Sequence, residues 1–193
     1  MERTDEEIMI DYQAGDQDAM QTIFHRHKMP LLNFCLRILG NRADAEEIAG
    51  DVFLTLVTHK DTFKSQAKFS TWIYTIARNK CISHLRRRKF TWAFPSLSSP
   101  EESESPAIQI PSSDDLPHEA LVRQETATHV RNAIDRLPYE QREAIVLKEY
   151  HDFSYEEIST ILSCSLEKVK ILIFRAKERL RIDLTSFLQE ETR

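Results

Sequence analysis

Glycine is nearly missing from this sequence, with 3 in 193 residues. Few positions can therefore take a left-handed backbone without strain, and no glycine-rich loop of the kind that cradles phosphates is present. Cysteine is equally scarce. Cys35, Cys81 and Cys164 are odd in number, far apart and free of any C-x-x-C spacing, which argues against a disulfide framework or a zinc site and fits a reducing compartment. No apolar run approaches the ~20 residues that a membrane span needs, and no signal peptide opens the chain. The expectation is a soluble, cytoplasmic protein without membrane insertion. His25 and His27 read as two lone histidines on a surface helix rather than metal ligands. With no Ser/His/Asp pattern and no metal cluster either, the sequence offers no catalytic residue, no metal site and no cofactor.

What is present is helical pattern and localised charge. A 41% hydrophobic, 30% charged chain of this length can bury a core as one large domain or two small ones. Long periodic runs with little strand-like alternation predict an all-α fold. The net charge of −5 hides a strong asymmetry. Residues 1–60 carry eleven acids against six bases, and residues 90–120 carry six acids and no base. Positive charge gathers instead in 64–89 and 168–181, and local sign decides where a phosphate backbone can sit.

Thr4 with Glu7 forms a capping-box pattern ahead of Ile8, Met9 and Tyr12, and Gly15-Asp16 breaks that helix. Ala19, Met20, Ile23 and Phe24 mark a second helix, and Pro30 is expected to open a third. Gly40-Asn41 is a stop signal. A further helix from Asp44 to about His59 turns Ile48, Val52, Phe53 and Leu56 inward, and sets Asp44, Glu47 and Asp51 as an outward acidic stripe. That stripe is either a docking face or simple solubility.

The stretch KFSTWIYTIARNKCISHLRRRK, residues 68–89, reads as one helix with Ser70 as its N-cap. Helical angles place Phe69, Trp72, Ile73 and Ile76 on one side and Tyr74 and Arg78 on the other. Between Thr62 and Trp92 lie eight Lys or Arg and no acid. Aromatics interleaved with cations suit a single-stranded nucleic acid, offering faces for bases and charge for the backbone. A core helix with a solvated basic face would have the same composition.

Five of the seven prolines fall between Pro95 and Pro117, among Ser and Glu, which predicts a flexible acidic linker over 93–117. The helical pattern then resumes. Val130, Ala133, Ile134 and Leu137 mark one helix, and Pro138 starts another through Ala144, Ile145 and Leu147. Ser154 with Glu157 is a second capping box. Beyond Ser163-Cys164, Ser165 can cap a long helix with Leu166, Val169, Ile173, Ala176 and Leu180 inward and six bases on its surface. A short capped helix, a tight turn and a longer basic helix make a helix-turn-helix pattern.

DAEEIAGDVFLTLVTHKDTFKSQAKFSTWIYTIARNKCISHLRRRK resembles conserved region two of bacterial RNA polymerase sigma factors of the extracytoplasmic-function group. LPYEQREAIVLKEYHDFSYEEISTILSCSLEKVKILIFRAKERLR is similar to their region four. The resemblance implies a region two domain over 1–92, the linker over 93–117 and a region four domain over 118–193. It implies a promoter-specificity subunit whose partners are core RNA polymerase, promoter DNA and an anti-sigma factor. Asp44, Glu47, Asp51 and Leu54 would meet the polymerase. The loop 63–68 and the helix after it would melt the minus-ten element and hold a flipped base. Asn79 would contact its edge, with Trp72 beside it and Lys64, Lys68, Arg78, Arg86 and Arg87 on phosphates. Ser70, Tyr74 and His84 complete that set. Ser165, Glu167, Lys168, Lys170, Ile171, Phe174 and Arg175 would face the minus-thirty-five duplex.

The chain departs from the family pattern in places. Ser163 stands where the family usually has Gly, and Gly50 where Gln is common. Taking Val169 as the inward centre, Ile171 and Phe174 point outward, where small polar or basic residues are usual, and Leu172 replaces a common Arg at the edge. Three explanations compete: apolar side chains reading thymine methyls, a docking patch for a partner or the other domain, or weak DNA binding through Lys168, Lys170 and Arg175 alone. The sequence leans toward a partner patch combined with phosphate contacts. A rival reading is a sigma-like decoy that sequesters an anti-sigma factor without engaging promoters.

Overall fold

The computed structural model describes the backbone of residues 3–93 and 117–191, and the side chains of 3–88 and 126–185. The predicted linker lies outside these residues except at its ends, where Ala93 closes one helix and Pro117 opens the next. Among the described residues the fold is all-α. Its helices are α1 (Asp5–Ala14), α2 (Gln17–Leu39), α3 (Arg42–Thr58) and α4 (Phe69–Ala93), then α5 (Pro117–Asp135), α6 (Tyr139–His151), α7 (Tyr155–Leu162) and α8 (Leu166–Glu191). A short 3-10 turn, Lys60–Thr62, follows α3.

Local chemistry sets most helix ends. Both capping boxes form, at Thr4/Glu7 and Ser154/Glu157. Gly15 and Gly40 take left-handed backbones, with φ of 111° and 72°, and close α1 and α2. The Asn41 side chain accepts the Asp44 N–H, so α3 starts at Arg42 rather than Asp44.

Two further expectations about helix boundaries fail. Pro30 does not open a helix; it lies inside the continuous α2. A mid-helix proline forfeits a backbone hydrogen bond, at about 3 kcal/mol. Ala19 and Ile23 before it, and Leu31, Phe34, Cys35 and Ile38 after it, bury one unbroken stripe that offsets this loss. Nor is Ser70 an N-cap. Helix α4 begins one residue earlier, and the Phe69 N–H donates to Glu6 Oε1 at 2.7 Å, so a carboxylate from α1 caps it across space. At its other end α4 runs to Ala93, beyond the change in composition at Phe90.

A single contiguous apolar core runs from α1–α4 into α6–α8. Helix α4 is its pivot. Phe69, Ile73, Ala77 and Cys81 are fully buried at four-residue spacing along its length. Phe63 lies 5.7 Å from Phe69 and 5.4 Å from Trp72, ring centre to ring centre, so Trp72 packs half-buried into the aromatic cluster under the preceding loop.

In the turn between α7 and α8, Ser163, which stands where the family usually has Gly, takes a left-handed backbone at φ 52°, ψ 48°. Ser163→Gly relieves left-handed strain of about 1 kcal/mol, and glycine's greater unfolded-state freedom returns part of it. A net gain of about 0.5 kcal/mol is expected in urea denaturation. Ser163→Val, β-branched at the same φ, is expected to lose more than about 1 kcal/mol.

Candidate nucleic-acid interface

The loop before α4 is held at both ends and free in the middle. Gln13 Nε2 donates to the carbonyls of Lys60 (2.7 Å) and Phe63 (3.1 Å), and Lys60 Nζ reaches Tyr12 O at 3.1 Å. Phe63 is buried, while 64–68 are exposed. Together with the Glu6 cap on Phe69, these bonds fix where a short exposed loop carrying Lys64 and Lys68 leaves the core. Asn79, Arg86 and Arg87 are exposed further along α4. The loop residues and these three therefore stand on accessible surface, as expected.

Four other residues of the predicted minus-ten set are placed differently. Tyr74 is not on an outer face: it is 4% exposed, packed against Phe34, His151 and Phe153 at 4.9–5.2 Å between ring centres. Arg78 is largely covered, with its Nε 3.0 Å from Glu143 Oε1. His84 is half-buried and turned toward α3, its Nε2 3.3 Å from Asp44 Oδ2. Ser70 is half-buried within the first turn of α4. Angular position on an isolated helix could not show these neighbours.

The acidic stripe of α3 is also only partly outward. Asp44 Oδ2 accepts from Arg88 Nη1 at 2.7 Å, and Asp51 lies 3.5 Å from Lys80 Nζ. Glu47 and Leu54 face solvent, Leu54 at 61% exposure. His27, read as a surface histidine, is largely buried, with Nε2 2.7 Å from Asp5 Oδ2 and its ring against Phe69. That hydrogen bond with His27 is the largest of the influences that hold the Asp5 carboxyl below its usual range.

The contacts that cover α4 come from the second half of the chain. Lys68 Nζ meets Glu157 Oε1 at 2.8 Å, Arg78 meets Glu143, and Tyr74 Oη lies 2.9 Å from His151 Nδ1. On the α2 side, the Arg37 guanidinium stacks 3.6 Å above the Tyr150 ring, and Arg142 Nη1 donates to Ile38 O. Glu143 is 1% exposed; burial pushes its carboxyl up, and Arg78 opposes that shift. Burial likewise pushes the Tyr74 phenol up, keeping it protonated beside His151. For Glu157, burial raises and the bonds from Lys68 and Ser154 lower, with the lowering prevailing.

Sequence reasoning missed Glu6, Gln13, Glu143, Tyr150 and His151. Of these only Glu143 left a trace, as a lone carboxylate four residues from both Tyr139 and Leu147 within an otherwise inward stripe. Glu157 was legible as a capping residue, and its second bond to Lys68 was not.

Helix α8 follows the expected pattern more closely. Ser165 Oγ accepts the Lys168 N–H at 3.2 Å, and Val169, Ile173 and Ala176 are buried. Glu167, Lys170 and Arg175 are exposed, and Lys168 Nζ lies 2.9 Å from Glu140 Oε1. Ile171 and Phe174 are 50% and 67% exposed. Neither packs on the first half of the chain, which removes the other domain as occupant of that patch. Leu172 is not an edge residue; at 8% exposure it joins the core.

The family model Sigma-70 region 2 matches residues 23–91, and Sigma-70 region 4 matches residues 129–180. The ECF RNA polymerase sigma factor SigW of Bacillus subtilis is 35% identical over 88% of this chain and 91% of its own. The chain belongs to the extracytoplasmic-function sigma factors. RNA polymerase sigma-H factor of Pseudomonas aeruginosa is 26% identical, with 96% of each chain covered. Among solved structures, the sigma factor RpoE in complex with the anti-sigma factor NepR from Bartonella quintana superposes with a TM-score of 0.70. It is 24% identical, covering 86% of this chain and 96% of that one. CnrH in complex with the cytosolic domain of CnrY gives 0.68 at 21% identity, covering 94% and 97%. These two likenesses support the fold. The protein is therefore an alternative sigma factor, and among its described residues no helix is long and apolar enough to cross a membrane.

Separation of the two halves of this sigma factor, breaking the contacts above, would carry a pH signature. Burial, reinforced by the Arg37 charge and opposed by Asp152, lowers His151 from 6.5 to about 4. Released, the imidazole regains its ordinary value, so the open form takes up the proton first as pH falls. The His151 contribution to closure is thus complete above pH 6.5 and is lost progressively down to about 4. Glu143 acts in the opposite sense, because its raised carboxyl takes up a proton more readily in the closed form. Fluorescence energy transfer between labels on α3 and α8 is expected to fall less on acidification in His151→Gln than in the parent.

Proposed function

We propose that this sigma factor recruits core RNA polymerase through the outer face of α3, and selects and opens promoters with α4 and α8. Glu47 and Leu54 are the accessible part of the polymerase surface, and Asp44 and Asp51 flank them. The loop 63–68, Trp72, Asn79, Arg86 and Arg87 form the minus-ten surface, and Lys68 and Arg78 join it once freed. Residues 1–92 then act as the polymerase and minus-ten module, 118–193 as the minus-thirty-five module, and 93–117 as the acidic connector. It has no chemistry of its own and works in the cytoplasm, where the polymerase is.

One observation carries the mechanism: two of the five cations assigned to a melted strand's phosphates are already held by carboxylates of the second half. Glu157 sits on Lys68 and Glu143 on Arg78. Carboxylate and phosphate compete for the same charge, so strand binding and closure exclude one another. A resting closed form would keep the free protein off DNA, and an anti-sigma partner of the kind found with RpoE would act by prolonging closure.

Run-off transcription with purified core polymerase and a promoter library is expected to yield selective transcripts that disappear in an Asn79→Ala, Arg86→Ala double variant. Polymerase binding without any transcript from any promoter would support the decoy reading instead. Glu143→Gln with Glu157→Gln is expected to tighten binding of a single-stranded minus-ten oligonucleotide at least about tenfold, because breaking a buried ion pair weakens the closed form. Unchanged affinity would show that closure does not compete with the strand.

A further inference from the structure

The outward face of α8 carries two large apolar side chains that neither the core nor the closed interface uses. Ile171 and Phe174 are 50% and 67% exposed and one turn apart. Their neighbours at helical spacing are mostly cationic: Lys168, Lys170, Arg175 and Lys177 are exposed, Lys168 and Lys177 being paired with Glu140 and Glu149, while Glu167 and Glu178 lie at the two ends. The next exposed apolar residue on the helix, Ile182, is separated from them by Lys177, Glu178, Arg179 and Arg181. Two apolar side chains with more cations than acids around them make a small patch. Protein interfaces have apolar centres far larger, with charge depleted there. Duplex DNA matches better, since phosphates can meet the framing cations while the apolar pair faces the groove.

An isoleucine has no donor or acceptor. In a major groove its one specific partner is the thymine C5-methyl group. Opposite cytosine, adenine or guanine it would leave a base-edge polar group dry, so it rejects as well as selects. We propose that Ile171 is a specificity-determining residue of this sigma factor, selecting thymine in the minus-thirty-five duplex through its methyl group, with Phe174 extending the apolar contact. This rests on the reading that α8 enters the major groove, and it names the base that the helix demands there.

The test separates the two claims. Holoenzyme made with the full chain is used to enrich binders from a randomised duplex library, and affinities are measured by fluorescence anisotropy. Each thymine in the enriched element is then replaced by deoxyuridine, which removes the methyl and nothing else. At one or two positions the replacement is expected to weaken binding about fourfold, the worth of one buried methyl. Ile171→Ser is expected to lose sensitivity to deoxyuridine at one of those positions and to accept other bases there, while its helicity stays that of the parent. Phe174→Ser is expected to reduce the effect without abolishing it. An enriched element indifferent to deoxyuridine, or one whose sensitivity persists in Ile171→Ser, would overturn the methyl reading and leave the patch to a protein partner. Failure to enrich any duplex would overturn the groove placement of α8, and the methyl reading with it.

Discussion

The packing of this sigma factor turns on a buried ion pair between Arg78 of α4 and Glu143 of α6. Glu143 is almost wholly removed from water. Losing its partner while it stays buried would cost several kcal/mol, about 3–5 by the usual measure. Such a pair adds little net stability compared with apolar residues, but it is strict about geometry. Around it lie the other contacts between the two halves: Lys68 with Glu157, Tyr74 with His151, and Arg37 over Tyr150. The proposed separation would expose all of them together, so closure would behave as one equilibrium rather than several.

That constraint gives α4 two uses for the same atoms. Its inner row, Phe69, Ile73, Ala77 and Cys81, is committed to the core. The described cations of α4 and the loop before it divide into three sets. Lys64, Arg86 and Arg87 are exposed, Lys80 and Arg88 face the acids of α3, and Lys68 and Arg78 are bound by acids of α7 and α6. In a chain with a net charge of −5, local charge decides where a strand can sit. The proposed opening would add the last set to the exposed one.

Much of this was readable from residues alone. The two capping boxes, the breaks at Gly15 and Gly40 and the inward row of α8 all follow from short-range chemistry, and the structure has each of them. What escaped depends on distant partners. Pro30 survives inside α2 because packing on both sides outweighs the lost hydrogen bond. Helix α4 starts at Phe69 because Glu6, sixty-three residues earlier, caps it. Tyr74 and Arg78 lie on the polar side of a helical wheel, and no wheel records that α6 and the α6–α7 connection cover that side. The outward setting of Ile171 and Phe174, by contrast, needed only the helical angle.

The central claim is that strand binding and closure exclude one another. Double electron–electron resonance between spin labels at Thr58 on α3 and Lys170 on α8, both exposed, tests it most directly. With Cys164, the one cysteine not buried, replaced by serine, the distance is recorded before and after a single-stranded minus-ten oligonucleotide is added. The account predicts one short distance in the free protein and its replacement by a longer, broader distribution as the strand saturates. A short distance that persists in the saturated complex would contradict it.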